Sequence, residues 1–168
     1  MPKPGLQKAR AWAAIILIIV AACLLIIFLG SSQHLVLTDN DTNEIYAKFP
    51  LEKGEGFSVS FIHSVNKSPI REYYLPAKNG FELVKSEFHG FGAGVQTETA
   101  EGQDFYITED GTMVMTGGGM IIPSLNYRIG KIHGHSLHIS GETIDLRKLC
   151  GASKSVRFEI KRKLNTPF

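Results

Sequence analysis

The chain has 168 residues, of which 43% are hydrophobic, and a formal net charge of +2. Three of the basic residues precede residue 11 and every acidic residue follows residue 30, so the rest of the chain is close to neutral. This balance excludes the basic surface that nucleic-acid-binding proteins need. The length predicts one domain preceded by a separate N-terminal segment.

That N-terminal segment carries a membrane signal. Residues 11–29 contain no charged and no strongly polar side chain. As a helix rising about 1.5 Å per residue they span about 28 Å, close to the ~30 Å hydrocarbon core of a bilayer. A helix buried in a soluble core would still need polar positions on its outer side. We therefore predict a single transmembrane helix over residues 11–29 that places the protein in the lipid bilayer of the cell membrane.

The flanking charges predict how this helix is oriented. The basic residues before it are Lys3, Lys8 and Arg10. No Lys or Arg follows until Lys48, so the positive-inside rule predicts a cytoplasmic segment of residues 1–10. Residues 31–168 then form an extracytoplasmic domain. Two alternatives remain open, a cleaved signal peptide and lipidation at Cys23.

The extracytoplasmic part shows the pattern of an all-β domain. Short alternating runs of apolar and polar residues recur, with Gly, Pro or Asn in nearly every gap, and no stretch shows a helical period. This pattern predicts a β-sandwich or barrel of about ten short, mainly antiparallel strands. It includes strands over residues 112–116, 120–122 and 143–146, with a flexible break at residues 117–119.

The densest strand–turn–strand pattern lies in residues 57–75. Residues 66–69 have the composition of a turn, and a four-residue loop would pair Val65 with Ile70. Because side chains alternate along a strand, this register predicts His63 opposite Glu72, with Cβ atoms about 5 Å apart. Such a pair is either structural or in contact with a ligand.

The same hairpin gives little support for catalysis. Ser64 follows His63 directly and therefore points to the other face of the strand, where it cannot form a nucleophile–base pair. No G-x-S-x-G motif is present. We predict no catalytic residue.

Two other groups of residues, three histidines and three glycines, are candidates for a metal site and a phosphate loop. His133, His135 and His138 lie close together, but they do not share one strand face, and no acid or Cys stands at a helpful spacing. We predict no metal ion and no other cofactor. Gly90, Gly92 and Gly94 are not followed by a helical pattern, so they suit close backbone approach to a chain or ligand rather than a phosphate loop.

The candidate binding residues are His63, Ser64, Arg71, Glu72, Gly92 and Gly94. Near the C-terminus, residues 147–163 hold seven basic residues and one acid. Such a run is typical of a solvated strand edge. Contact with anionic lipid head groups is the alternative.

Two segments carry a family resemblance. The first, FIHSVNKSPIREYY, holds Phe61, His63, Ser64, Val65, Ser68, Pro69 and Glu72 in the order F-x-H-S-V then S/T-P-x-x-E. The second, FHGFGAGVQ, holds Phe88, Gly92, Ala93 and Gly94, with Val95 and Gln96 where Leu-Pro is usual. Over about residues 34–163, the chain resembles the family called domain of unknown function 1850.

The resemblance implies a setting but no active site. Members of this family are often encoded beside the membrane permease of TRAP transporters of the TAXI type. We therefore expect a membrane-anchored accessory protein that contacts the permease or its solute-binding protein. The alternative is a small-molecule binding domain in which His63, Arg71 and Glu72 orient a carboxylate or amine. A hydrolase is the third interpretation.

Overall fold

The computed structural model describes residues 12–21, 33–65, 67–90 and 99–162. Its contacts divide the chain into two compact units, one of Gln33–Lys161 and one of Met1–Ser32 with Arg162–Phe168. We call the first unit the β-domain.

The N-terminal unit contains a helix, α1, over residues 12–21, whose side chains are exposed. Within the described ranges, no helix combines the length and the apolar character that a membrane crossing requires. The remainder of the predicted segment, residues 11 and 22–29, lies outside the described residues, as do residues 1–10. The anchor and its orientation stay predictions.

The described part of the β-domain contains eleven strands and one short helix. They are β1 (Gln33–Asp39), β2 (Ile45–Leu51), β3 (Phe57–Ile62), β4 (Pro69–Ala77), β5 (Gly80–Phe88), β6 (Gln103–Ile107), β7 (Met113–Ile122), β8 (Leu125–Arg128), β9 (Ser136–Ile139), β10 (Glu142–Asp145), α2 (Leu146–Cys150) and β11 (Ser155–Arg162). The strands form a four-stranded sheet in the order β2-β1-β11-β8 and a seven-stranded sheet in the order β10-β9-β3-β4-β5-β7-β6. The predicted all-β class is confirmed, and of the two predicted architectures, sandwich or barrel, the two sheets form a sandwich.

One hydrophobic core fills the space between the two sheets. It takes Leu35 and Phe158 from the four-stranded sheet and Val59, Phe81 and Leu137 from the seven-stranded sheet. Burying a side chain of this size fully contributes about 1.5–3 kcal/mol. The face of the seven-stranded sheet that packs against this core is its core face, and the opposite one is its outer face.

A buried carboxylate ties together the chain segments around the four-stranded sheet. Asp39 ends β1 and accepts hydrogen bonds from the backbone N–H groups of Asp41 and Thr42 at 2.8 and 3.1 Å. It also accepts from the Tyr46 hydroxyl at 2.5 Å and the Lys154 ammonium at 2.9 Å. Tyr46 and then Lys154 hold the pKa of Asp39 well below its usual range. The turn after β1, strand β2 and the segment before β11 therefore meet at one charge.

The break predicted at residues 117–119 is wrong, because β7 runs continuously from Met113 to Ile122. Gly117, Gly118 and Gly119 have φ values of 80°, 82° and 56°, and the register with β5 shifts beside them. The glycines therefore form an irregularity inside the strand, since residues without Cβ tolerate this left-handed backbone.

The prediction of a strand over residues 143–146 is also wrong at its end. The strand stops at Asp145, and α2 begins at Leu146. The Asp145 carboxylate accepts hydrogen bonds from the backbone N–H groups of Arg147 and Lys148 at 2.8 and 3.1 Å. Asp is a favoured N-cap because it satisfies donors that a helix start leaves free. Ile144 and Leu146 are apolar with the polar Asp145 between them, and this alternation is why the sequence predicts a strand through residue 146.

The glycines of β7 give a matched stability test. Gly117→Ala and Gly141→Ala both place Ala at a φ close to 80°, which costs about 1–2 kcal/mol. A Cβ at Gly117 would lie 2.5 Å from the backbone oxygen of Gly102, whereas a Cβ at Gly141 meets no atom within 4 Å. We expect Gly117→Ala to cost about 1–3 kcal/mol more. Urea unfolding of the full chain in mild detergent measures this, and equal midpoints would contradict it.

Candidate functional site

The β3–β4 hairpin has a different register from the predicted one. Val59, not His63, lies opposite Glu72, so the predicted His63–Glu72 cross-strand pair is wrong. The strands separate earlier because His63 already belongs to the turn. Its N–H donates to the Ser68 carbonyl at 2.9 Å, and its carbonyl accepts from the Lys67 N–H at 3.1 Å. Lys67 takes a positive φ of 57° to close this longer loop.

His63 and Ser64, two predicted binding residues that the structure places in this loop rather than on a strand, are held by local contacts. His63 Nδ1 accepts from the backbone N–H of Val65 at 3.3 Å, and the Ser64 carbonyl accepts from Lys67 Nζ at 2.6 Å. Ser64 and Val65 are exposed. The predicted site residues Gly92 and Gly94 lie outside the described residues, so their role stays a prediction.

Glu72 points to the core face and joins the two sheets. Its Oε2 accepts hydrogen bonds from Tyr74 at 2.9 Å and from Tyr127, on the opposite sheet, at 2.5 Å. The two hydroxyls also lie 2.8 Å apart. Burial and then the charge of Glu72 raise the pKa of both tyrosines. Both therefore remain protonated donors at ordinary pH, and the carboxylate is satisfied in a partly buried place.

A histidine closes this end of the core. The His135 ring stacks on Phe61 with centroids 5.1 Å apart and is tilted against Tyr127 at 5.4 Å. Burial lowers the pKa of His135. Its Nδ1 has no hydrogen-bond partner among the described residues. His135 therefore packs as a neutral ring against the aromatic rings of Phe61 and Tyr127.

Arg71 occupies the outer face, because it neighbours Glu72 and alternates with it. Its Nε donates to Ser58 Oγ at 3.0 Å, and its guanidinium carbon lies 5.1 Å from the centre of the Tyr73 ring. Among the described residues, no carboxylate forms an ion pair with Arg71, and no hydrogen bond engages its two terminal nitrogens.

The acid that lies opposite Arg71 in the sheet is already held by other donors. Glu87 lies opposite Arg71 in the sheet but accepts from the Tyr73 hydroxyl at 2.7 Å and from Lys85 Nζ at 2.8 Å. Burial by itself would raise the pKa of Glu87. The hydrogen bonds from Lys85 and then from Tyr73 outweigh burial, so that the pKa is lowered. Glu87 is thus an ionised acceptor held by two other donors. The charge of Arg71 also lowers the pKa of Glu87, but the two form no ion pair, so the donors of Arg71 are available.

His138, on β9, lies on the same outer face. Its Nε2 is 2.9 Å from Ser60 Oγ, and its Nδ1 is 2.9 Å from Thr143 Oγ1. The donor in each bond depends on the tautomer of the ring. Burial and then the charge of Arg71 lower the pKa of His138, which favours the neutral ring.

These outer-face groups border an open cleft of about 430 Å³, which we call the outer cleft. Its charged lining residues are Arg71 and Glu142, and its other polar lining includes Ser58, His138 and Thr143. Its apolar lining includes Tyr73, Leu75, Val84 and Ile139. Small-molecule sites commonly have this size and this mixture of apolar wall and few polar groups.

The sequence predicts only some of the residues that line this cleft. Arg71 is a predicted binding residue, and His138 belongs to the histidine cluster for which the sequence predicts no metal ion. Within the described ranges, no group of three His, Cys, Asp or Glu residues could hold a metal ion. The alternation of Ser58 and Ser60 does predict a polar face, but nothing local indicates that β9 pairs with β3.

Glu72 gives the site's stability prediction. Glu72→Ala removes the acceptor of two tyrosine hydroxyls in the core, and unmet buried polar groups cost about 1–3 kcal/mol. We expect a lower urea midpoint for the full chain in mild detergent than for Glu101→Ala, which changes an exposed residue. In a Tyr127→Phe background the loss should shrink, since one of the two donors is already gone. Identical midpoints for the two alanine variants would show that the bridge contributes nothing.

Comparison with known proteins gives one match. The family model of Domain of unknown function (DUF1850) matches residues 57–146, which is more than half of the chain. This is a shorter segment than the predicted resemblance over residues 34–163. Neither the curated proteins nor the solved structures contain a match. The chain belongs to the family described as Domain of unknown function (DUF1850).

Proposed function

We propose that the β-domain binds a small organic anion in the outer cleft, with the carboxylate of the ligand against Arg71. The observation that carries this proposal is the state of Arg71, a guanidinium at a cleft with its terminal nitrogens unengaged by the described residues. Of the two ligand groups expected from the sequence, a carboxylate or an amine, the cationic guanidinium favours the carboxylate.

The geometry of Arg71 suits an anion. A guanidinium presents its donors as a planar fork that matches a carboxylate, and charge-assisted bonds of this kind are about twice as strong as neutral ones. Two contacts fix the orientation of this guanidinium. Its Nε donates a hydrogen bond to Ser58 Oγ, and its carbon atom lies near the Tyr73 ring. Glu87 does not compete, because Tyr73 and Lys85 already hold it.

The apolar residues of the lining determine what kind of ligand body fits beside the carboxylate. Leu75, Val84 and Ile139 offer apolar contact beside the polar groups. A volume of about 430 Å³ lies at the small end of ligand pockets, which span roughly 300–1,000 Å³. We therefore expect a small acid with an apolar or aromatic body.

A blocked cleft tests this function. We expect one or more members of a panel of small carboxylates to raise the unfolding temperature of the full chain in mild detergent. Val84→Trp should abolish the shift, because the larger side chain fills the cleft. Ile107→Trp is the matched control at an exposed position outside it. If no solute shifts the wild type, or if Val84→Trp retains the shift, the proposal is wrong.

A second proposal concerns the setting. We propose that the protein is a membrane-anchored accessory of a TAXI-type TRAP solute transporter, held by residues 11–29. The observations in favour are the uncharged stretch with basic residues before it and the membership in the family. The hairpin loop with His63 and Ser64 is the proposed contact, because Val65 at its tip is 65% exposed although large and apolar.

Co-purification tests the second proposal. Tagged full chain, solubilised in mild detergent, should bring down the permease or its solute-binding protein. Val65→Glu should weaken this, because a charge at an apolar contact is costly to desolvate. Ile132→Glu is the matched control, since Ile132 is another exposed loop residue, at 81%. Repeated failure to recover either partner, with the permease present in the membrane, would count against the role.

A further inference from the structure

We propose that the outer cleft binds its anion together with a proton, and that His138 is the group that takes up this proton. The inference rests on the proposed function, because it concerns what accompanies a carboxylate at Arg71. It adds a second ligand, the proton, to the same site.

The hydrogen bonds of His138 allow it to change its charge in place. Both partners, Ser60 Oγ and Thr143 Oγ1, lie 2.9 Å from a ring nitrogen. A hydroxyl can donate or accept by rotating its proton. With a neutral ring, one hydroxyl donates and the other accepts. With a protonated ring, both hydroxyls accept, so protonation leaves no ring nitrogen and no hydroxyl oxygen in conflict.

The charges around His138 leave Arg71 as the one that acts on it. The titratable groups on the surrounding strands and turns are Glu55 before β3, Arg71 and Tyr73 on β4, Lys85 and Glu87 on β5, and Glu142 and Asp145 on β10. Glu55 accepts from the Ser140 hydroxyl, and Asp145 caps α2. Glu142 is exposed at the start of β10 and borders the cleft.

The groups on β5 hold one another. Lys85 and Glu87 form an ion pair at 2.8 Å. Burial and the charge of Arg71 together lower the pKa of His138. None of these acids raises the pKa of His138 against the two.

A bound carboxylate would reverse this balance. Its negative charge on Arg71 offsets the cation that disfavours protonation of His138, and an anion near the ring favours the charged form. The pKa of His138 therefore rises on binding. By linkage, affinity increases as pH falls through the window between the ligand-bound and ligand-free values. Above that window His138 is neutral in both states, and affinity does not depend on pH.

Calorimetry with benzoate as the probe tests this coupling. The full chain in mild detergent is titrated at pH values where benzoate is fully ionised, in two buffers of different ionisation heat. We expect uptake of up to about one proton per benzoate, and an affinity that rises by up to about tenfold per pH unit, the limit for one proton. In His138→Gln, uptake and pH dependence should disappear. His34→Gln, on β1 in the four-stranded sheet and outside the cleft, is the matched control and should keep both.

A second variant covers the case in which His138→Gln does not fold. Thr143→Val removes one hydroxyl acceptor at an exposed position of β10, so the protonated ring loses a partner and proton uptake should decrease. Thermal unfolding of each variant verifies that it is folded.

The outcomes separate the two levels of proposal. Benzoate binding without proton uptake, or uptake that persists unchanged in both His138→Gln and Thr143→Val, overturns the coupling but leaves anion binding standing. Benzamide, neutral and of the same shape, should bind much more weakly than benzoate. If it binds equally well, the site does not select a charge, and both proposals fail. If neither benzoate nor any other member of the carboxylate panel binds, the proposed function fails first, and the coupling fails with it.

Discussion

The pleat of β4 sends two neighbouring charged side chains, Arg71 and Glu72, to opposite faces of the seven-stranded sheet. Glu72 enters the space between the sheets, and Arg71 faces the outer cleft. A slip of one residue in this strand would exchange the two, placing a guanidinium in the core and leaving the Tyr127 hydroxyl without its acceptor. The core and the candidate site therefore depend on the same register.

Each of the two charges has a different environment, and the difference explains what each can do. Glu72 is met by two tyrosine hydroxyls, one of them from the opposite sheet, so its charge is satisfied and it fastens the sandwich. Arg71 is supported by Ser58 and Tyr73, neither of which neutralises it. A charge that is positioned but not neutralised is suited to a ligand of opposite sign.

The family match has a structural meaning. Residues 57–146 include every strand of the seven-stranded sheet, from β3 to β10, and also β8. Strands β1, β2 and β11, which make most of the four-stranded sheet, lie outside the match. The family segment is thus the sheet that carries both the outer cleft and Glu72, while the flanking segments complete the sheet that covers its core face.

The sequence by itself determined the fold class, most strands and, within regular strands, which side chains share a face. These follow from period-two alternation and turn residues, which are local properties. That Glu72 shares a face with Val59, and Ser58 with Ser60, could be read from the chain.

The tertiary structure decided the pairings. The loop at residues 63–68 is closed by backbone bonds and a positive φ at Lys67, and no residue preference in the sequence reports its length. For this reason Glu72 pairs with Val59 and not with His63, the partner that the sequence predicts. Ser60 and His138 are 78 residues apart and meet only because β9 returns beside β3. Such non-local contacts depend on how the whole sheet assembles, so the outer cleft has no signature in any single stretch of the chain.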